Sequence, residues 1–307
     1  MSDHTATARG ADRALSRSVA STFRSAERRP SALVLMLRRD RIAAAALLVV
    51  IVIVALALLA PTLPLSSPTK AKFSDKLLPP LSSGHLLGTD QLGRDMMSRL
   101  IWGARVSLTV GVVAALLAST IGALIGIVAG YLGGRLDNLI MRLIDIMLAF
   151  PYILLAIALV AALGPGLVNA MLAIAVANIS FYARNMRGNV LTLRNQAYIE
   201  AALAAGATHR RILARHILPN LVPPLLVLVS MNVGWMITET AGLSFLGLGA
   251  QPPTADWGSM LADGRQFITV AYHVATIPGM MILILVLALN ILGDSLRDAL
   301  DPRLRNR

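Results

Sequence analysis

Ile42-Ala-Ala-Ala-Ala-Leu-Leu-Val-Val-Ile-Val-Ile-Val-Ala-Leu-Ala-Leu-Leu-Ala60 is nineteen apolar residues without a break. At 1.5 Å per residue a helix of this length reaches about 29 Å, enough to cross the hydrocarbon core of a bilayer. The stretch begins only after residue 41 and has no small-residue cleavage site, so it reads as a retained span rather than a signal peptide. The rest of the chain agrees. Its 307 residues are 56% hydrophobic and only 14% charged, with a mean hydropathy of +0.69. A soluble domain carries about 25% charged residues.

Five further apolar runs follow: Val106–Leu132, Leu139–Leu163 with Arg142 and Asp145 near its start, Leu167–Ala183, Leu221–Leu243 and Tyr272–Gly293. The expected fold is all-α, a polytopic bundle of six transmembrane helices. An even number of spans puts both termini on one side. Charge says which. Of the 28 basic residues, 21 fall in residues 1–41, after spans two and four, and in the C-terminal tail. The positive-inside rule then makes both termini cytoplasmic. The net charge of +12 is thus an orientation signal and not a nucleic-acid footprint. The expected organisation is a basic cytoplasmic tail over 1–41, a first span over 42–60 and an extracytoplasmic loop over 61–105. A five-span core over 106–293 follows, with a cytoplasmic loop at 184–220, and then a short tail over 294–307.

Span two carries Ala114, Ala118, Gly122, Gly126 and Gly130, a small residue at every fourth position. That spacing makes a low ridge on one helix face. In lipid, close backbone approach replaces hydrophobic drive, so the ridge predicts tight helix packing. Pro151, Pro223, Pro224 and Pro278 fall inside apolar runs and predict kinks. Polar residues at membrane depth are few. Asn178, Ser180, Asn232 and Glu239 are candidates for a solute pathway or gate, because ionisable or amide groups in lipid are costly. Glu239 lies near the outer end of its span, from where it also has a route to water.

No catalytic constellation is present. Cysteine is absent, the five histidines have no metal-ligand spacing, and GxxxxGK[ST], HExxH and GxSxG do not occur. If transport here is driven by ATP, another chain must supply the engine. A self-sufficient secondary transporter needs its own coupling site, for which the spans offer only Glu239. A membrane enzyme lacks a nucleophile, and an inert scaffold leaves the next segment unexplained.

Gln196–Asn220 lies between spans four and five. Residues 197–205 are strong helix formers, Gly206 is a natural stop, and Thr208 caps a second helix expected to end before Pro219. The result is a compact cytoplasmic knob. Glu200-Ala201-Ala202, three residues, Gly206, nine residues and His216-Ile-Leu218-Pro219 resembles the EAA loop of the permease subunits of ABC importers. His216 replaces the family's first isoleucine, as in the peptide and nickel branch.

The segment His85–Leu108 and the segment Ala241–Leu261 are similar to the second permease of dipeptide and oligopeptide importers. Physically, Thr89 or Asp90 caps an amphipathic surface helix there, with Leu92, Met96 and Leu100 on one face and an Asp95–Arg99 pair. The resemblance covers about residues 38–302. The Arg-rich start is outside it and reads as a disordered tail held by anionic lipid.

The resemblance implies a non-catalytic subunit that forms half of a translocation pathway for di- or oligopeptides in a prokaryotic cytoplasmic membrane. It implies that Tyr198, Glu200, Ala201, Ala202, Gly206, His216, Leu218 and Pro219 couple to an ATPase. The implied partners are a second homologous permease, two ATP-binding subunits and an extracytoplasmic solute-binding protein, with no nucleic acid. ATP and Mg would be held by the ATPase subunits, with no cofactor or metal in this chain. Nickel-chelate or glutathione transport is the alternative within the branch.

Overall fold

The computed structural model describes residues 40–300. The basic tail expected over 1–41 lies almost wholly outside them, as do Arg303, Arg305 and Arg307 of the C-terminal tail. Ten α-helices occur among the described residues: α1 Arg41–Leu59, α2 Met96–Leu132, α3 Gly134–Ala149, α4 Tyr152–Leu163 and α5 Leu167–Arg194. They continue with α6 Ala197–Ala204, α7 His209–Ile212, α8 Leu218–Phe245, α9 Trp257–Gly264 and α10 His273–Leu300. Helices α1, α2, α5, α7 through α8, and α10 are each long and apolar enough to cross a membrane, and α3 with α4 makes a sixth, broken span.

Helix α1 starts where Asp40 caps it, accepting from Ile42 N at 2.8 Å and Ala43 N at 3.1 Å. Most of its apolar surface is uncovered, as Leu48, Ile51 and Leu58 show. The same Asp40 accepts from Ser295 Oγ at 3.2 Å on α10. The start of the first span and the end of the last therefore share one end of the bundle, as an even number of crossings requires. Helix α10 continues through Leu300, so the tail expected from residue 294 is helical over its first seven residues.

The centre is α2 against α5. The backbones run parallel in constant register: Gly122 faces Ile179–Ala183, Gly126 faces Ala183–Arg187 and Gly130 faces Arg187–Val190. A Cβ on Gly126 would lie 2.3 Å from Ala183 O. Ala114, Ala118 and Tyr182 are fully buried in the same layer. Helix α8 crosses α2 where Gly111 meets Ile237, and it packs antiparallel on α10, where Gly234 faces Asn290 and Gly293 faces Met231.

The third span is two helices, bent by 92° at Phe150–Pro151. Pro151 has no N–H, and proline disfavours helical geometry in the residue before it. Phe150 accordingly takes φ −92° and ψ 139°, and α4 restarts behind Pro151. Pro223, Pro224 and Pro278, in contrast, stay inside continuous helices. Helix α3 is tied to α5 by Asp137, which accepts from Arg187 Nε at 2.6 Å and Nη2 at 2.7 Å. Asp145 and Arg184 pair between the same helices at the surface.

Asp137→Asn should remove the charge that makes this bidentate pair strong, at a cost of about 1–3 kcal/mol. The swapped double variant, Asp137→Arg with Arg187→Asp, should recover part of that loss. Thermal unfolding of the wild type, the two single variants and the double variant in detergent measures it. An additive pair of losses would mean that the two charges do not interact.

Candidate functional site

The loop between α5 and α8 is assembled from both sides. Helix α5 continues eleven residues past the expected end at Ala183, to Arg194. A 28-residue helix is about 42 Å long, so its last turns project beyond the apolar layer. Arg194 donates to Tyr131 O at 3.1 Å, satisfying a carbonyl at the end of α2. Helix α6 follows and stops at Gly206, whose φ of +82° is the left-handed geometry of a helix terminator. Thr208 then caps α7, accepting from Arg211 N at 3.4 Å.

The second helix does not end before Pro219. Residues Leu213–Ile217 form a π-helical turn, with Leu218 N–H donating to Leu213 O, and α8 continues from it. The widened turn gives a position without an N–H a place in the chain, and proline is tolerated in a first helical turn. The loop is therefore continuous with the fifth span, a rigid lever 37 residues long from His209 to Phe245.

Only Ile199 of α6 is buried, 1% exposed. It packs with Met186 and Val190 of α5, Ile212 and Ile217 before α8, Leu221, and Ala123 and Ile127 of α2. Tyr198, Glu200, Ala201 and Gly206 are exposed, Ala202 is half-buried, and Leu218 and Pro219 are exposed on the first turn of α8. The Tyr198 ring lies 6.1 Å from that of His216, bridging the two arms. Tyr131 OH donates to His209 O at 3.1 Å and meets its Nδ1 at 3.0 Å. The sequence-predicted residues thus form one exposed knob. The motif does not include its anchor, Ile199; an apolar residue between Tyr198 and Glu200 is the only sequence signal for it.

The four polar candidates separate. Ser180 donates to Ala177 O and Asn232 to Leu228 O, both within their own helices. Asn178 and Glu239 come together, with Asn178 Nδ2 donating to Glu239 Oε2 at 2.8 Å across α5 and α8. Glu239 is 5% exposed. It is buried and points into the bundle toward Asn178, a residue well inside α5. Its Oε1 and the Tyr182 hydroxyl have no partner among the described residues. Tyr182 is a polar member of this group that hydropathy hides, and its place one helical turn after Asn178 is the sequence signal for it.

At the opposite end from the knob, the helix expected to start after Thr89 or Asp90 begins only at Met96, as the first turns of α2. Residues 89–95 form a folded loop, and Asp95 caps α2, accepting from Ser98 N at 2.8 Å. Asp95 meets His85 at 2.9 Å, whereas Arg99 meets Asp90 at 3.4 Å and donates to Pro68 O at 3.0 Å. A buried Asp90 accepting from Leu92 N, Arg94 N and Arg94 Nε holds this loop. A loop that already satisfies these groups outcompetes another helical turn. Lys72 and Ser74 hydrogen-bond the Asp75 carboxyl and hold it below the usual carboxylate range.

His273 Nε2 donates to Thr89 O at 3.1 Å. Trp257, fully buried, donates to Leu100 O at 2.8 Å, and Asp256 accepts from Ser107 Oγ at 2.8 Å. These bonds join α9 and the 61–95 loop into one cap over α2 and α10. A cleft of 370 Å³ opens in it, with Arg94, Arg99, Asp263 and Arg265 in its wall. Among the described residues no group of three or more metal-ligating side chains occurs.

Residues 122–306 match the family model described as "Binding-protein-dependent transport system inner membrane component". The chain is 45% identical over 270 residues to the dipeptide transport system permease protein DppC of Alkalihalophilus pseudofirmus, covering 88% of each chain. It is 47% identical to the di/tripeptide transport system permease protein DppC of Pseudomonas aeruginosa, covering 81% of this chain and 84% of that one. It is 52% identical to the glutathione transport system permease protein GsiD of Shigella flexneri, covering 72% and 73%. An inward-facing structure of the MetNI methionine ABC transporter superposes with a TM-score of 0.56 over 66% of this chain and 97% of that one, at 22% identity, and carries the fold alone. The chain therefore belongs to the binding-protein-dependent inner-membrane components, the multi-pass permease subunits of ABC importers that work with a partner permease and an ATPase.

Proposed function

We propose that this permease forms half of a peptide translocation pathway, opposite a second homologous permease. Two ATP-binding subunits, which bind ATP and Mg, drive it from the cytoplasm, and a solute-binding protein delivers peptide to the opposite face. The observation that supports this reading is the α6 knob. It is a short exposed helix, fixed by one buried side chain to the helices of the transport core and followed, after the turn at Gly206, by α7, which runs without a break into α8. Such a knob passes movement of a docked partner directly into a span. The exposed Tyr198, Glu200, Ala201, Gly206, Leu218 and Pro219, with Ala202 and His216 behind them, are the docking residues.

The distribution of arginine supports a cytoplasmic knob and cytoplasmic termini. The cap over α2 and α10 then faces outward, where its cleft meets the binding protein. Peptide as solute is supported by the names of the relatives, two of which are dipeptide or di/tripeptide systems. Glutathione, named for other relatives, is the second reading.

Affinity purification of the tagged chain from its own cells should bring down an ATPase and a second permease. Glu200→Ala with Gly206→Val should sharply lower both ATPase recovery and uptake. Recovery of no ATPase, with uptake intact in the double variant, would sink the reading. Competition for uptake by dialanine against glutathione decides between the two solutes.

A further inference from the structure

The buried carboxylate has an open oxygen and an aromatic gate. Glu239 makes no ion pair among the described residues; Asn178 is its one hydrogen-bond partner of good geometry, and the Trp235 indole is its other polar neighbour. Asn178 is spent, its Nδ2 shared between Glu239 and Ile174 O. Tyr182, the other unpartnered polar group there, is fully buried behind Asn178 on α5. One turn before Glu239 on α8 stands Trp235, 46% exposed, with its ring 5.7 Å from that of Tyr152, 39% exposed. Tyr152 opens α4 just after the Phe150–Pro151 break. An isolated carboxylate in a low-dielectric interior is costly unless a cation meets it or a proton neutralises it. Aromatic faces beside it favour an organic ammonium over a hydrated metal ion.

We propose that Glu239, supported by Asn178 and gated by Tyr152 and Trp235, binds the ammonium group of the transported solute. The assignment deepens the peptide reading and rests on it for the identity of that ammonium, the amino terminus of a short peptide. In the conformation described, the Tyr152 and Trp235 rings are in contact. Movement of α4 at the Phe150–Pro151 break carries Tyr152 away from Trp235 and uncovers the carboxylate. Asn178 keeps Oε2 in place, so Oε1 is the oxygen that accepts from the ammonium. Binding involves no covalent step.

The test uses the whole complex of both permeases and both ATPases in nanodiscs, without its binding protein, so that discrimination by that protein does not enter. Equilibrium binding of labelled dialanine and N-acetyl-dialanine is compared for the wild type, Glu239→Gln and Trp235→Leu. The glutamine is isosteric and retains the carbonyl that Asn178 bonds. The wild type should prefer the free amine about 10–100-fold, the range of a charged hydrogen bond. Glu239→Gln should erase that preference while recovery of the second permease stays unchanged. Trp235→Leu should reduce it.

Ethylammonium should compete in the wild type and not in Glu239→Gln. This arm reads the site even if the complex imports no peptide, an outcome that removes the peptide reading alone. A preference that survives Glu239→Gln overturns the assignment. So does an equal loss for both peptides, or loss of the second permease, which would make Glu239 a contact between subunits.

Discussion

Alanine in place of Gly126 should prevent normal assembly of the transport core. Its Cβ would stand 2.3 Å from Ala183 O, 2.9 Å from Arg187 N and 3.0 Å from Met186 Cβ. Two of these are backbone atoms of α5, which cannot turn aside as a side chain can. The helices would have to separate along a face where Gly122 and Gly130 also touch; a Cβ on Gly122 would stand 2.6 Å from Ile179 O. Overpacking costs about 1–3 kcal/mol in ordinary cores and more when no rotamer relieves it.

A contact between parallel backbones falls at the upper end of that range, and Gly122→Ala combined with Gly126→Ala goes beyond it. Gly188→Ala on α5 is the control, since nothing lies within 4 Å of the added carbon. It should be neutral or gain about 0.5–1 kcal/mol of helix stability. Yield in the membrane fraction and thermal aggregation in detergent compare the variants. Equal behaviour of Gly126→Ala and Gly188→Ala would refute the packing argument.

Aspartate at Ile199 should disconnect the knob while leaving the spans in place. Ile199 is the only buried side chain of α6 and joins α2, α5 and the start of α8 through one apolar cluster. Truncating a buried isoleucine costs about 2–5 kcal/mol, and an unpaired charge in that cluster adds a desolvation penalty. An eight-residue helix has too little intrinsic stability to absorb this. Uptake should fall at least tenfold, with solute-stimulated ATP hydrolysis lost and basal hydrolysis by the ATPase retained. Ile199→Val, which keeps most of the packing, should stay close to the wild type. Unchanged uptake in Ile199→Asp would mean that force does not pass through this contact.

How legible each part was follows from the range of the physics. Apolar runs are local, so each expected span has its helix, with boundaries moved outward where polar residues continue the backbone hydrogen bonds, as at Ala183–Arg194. Pro151 was legible as a break because its missing N–H acts on its own chain. Its 92° size was not, nor why Pro223 and Pro278 leave their helices unbroken. The helix after Thr89 starts late, at Met96, because long-range bonds outweigh local propensity over residues 89–95. Arg99 reaching Pro68 O 31 residues back, and His273 reaching Thr89 from 184 residues away, are invisible to any window.

By itself the sequence determined the class of this protein: an all-helical membrane subunit of an importer, dependent on another chain for energy. Continuous apolar runs, arginine asymmetry and a spaced loop motif all act or read within a few turns, so no neighbour is needed to interpret them. Only the tertiary structure decided which residues share a site. It set the small residues of α2 against α5 and joined the knob to α8 through a π turn. It also turned Glu239 from a residue with a route to water into a buried carboxylate facing Asn178. Helix faces in a bilayer are all apolar, so hydropathy cannot say which one meets which. That choice is made by backbone approach and by the few polar groups that must find each other away from water.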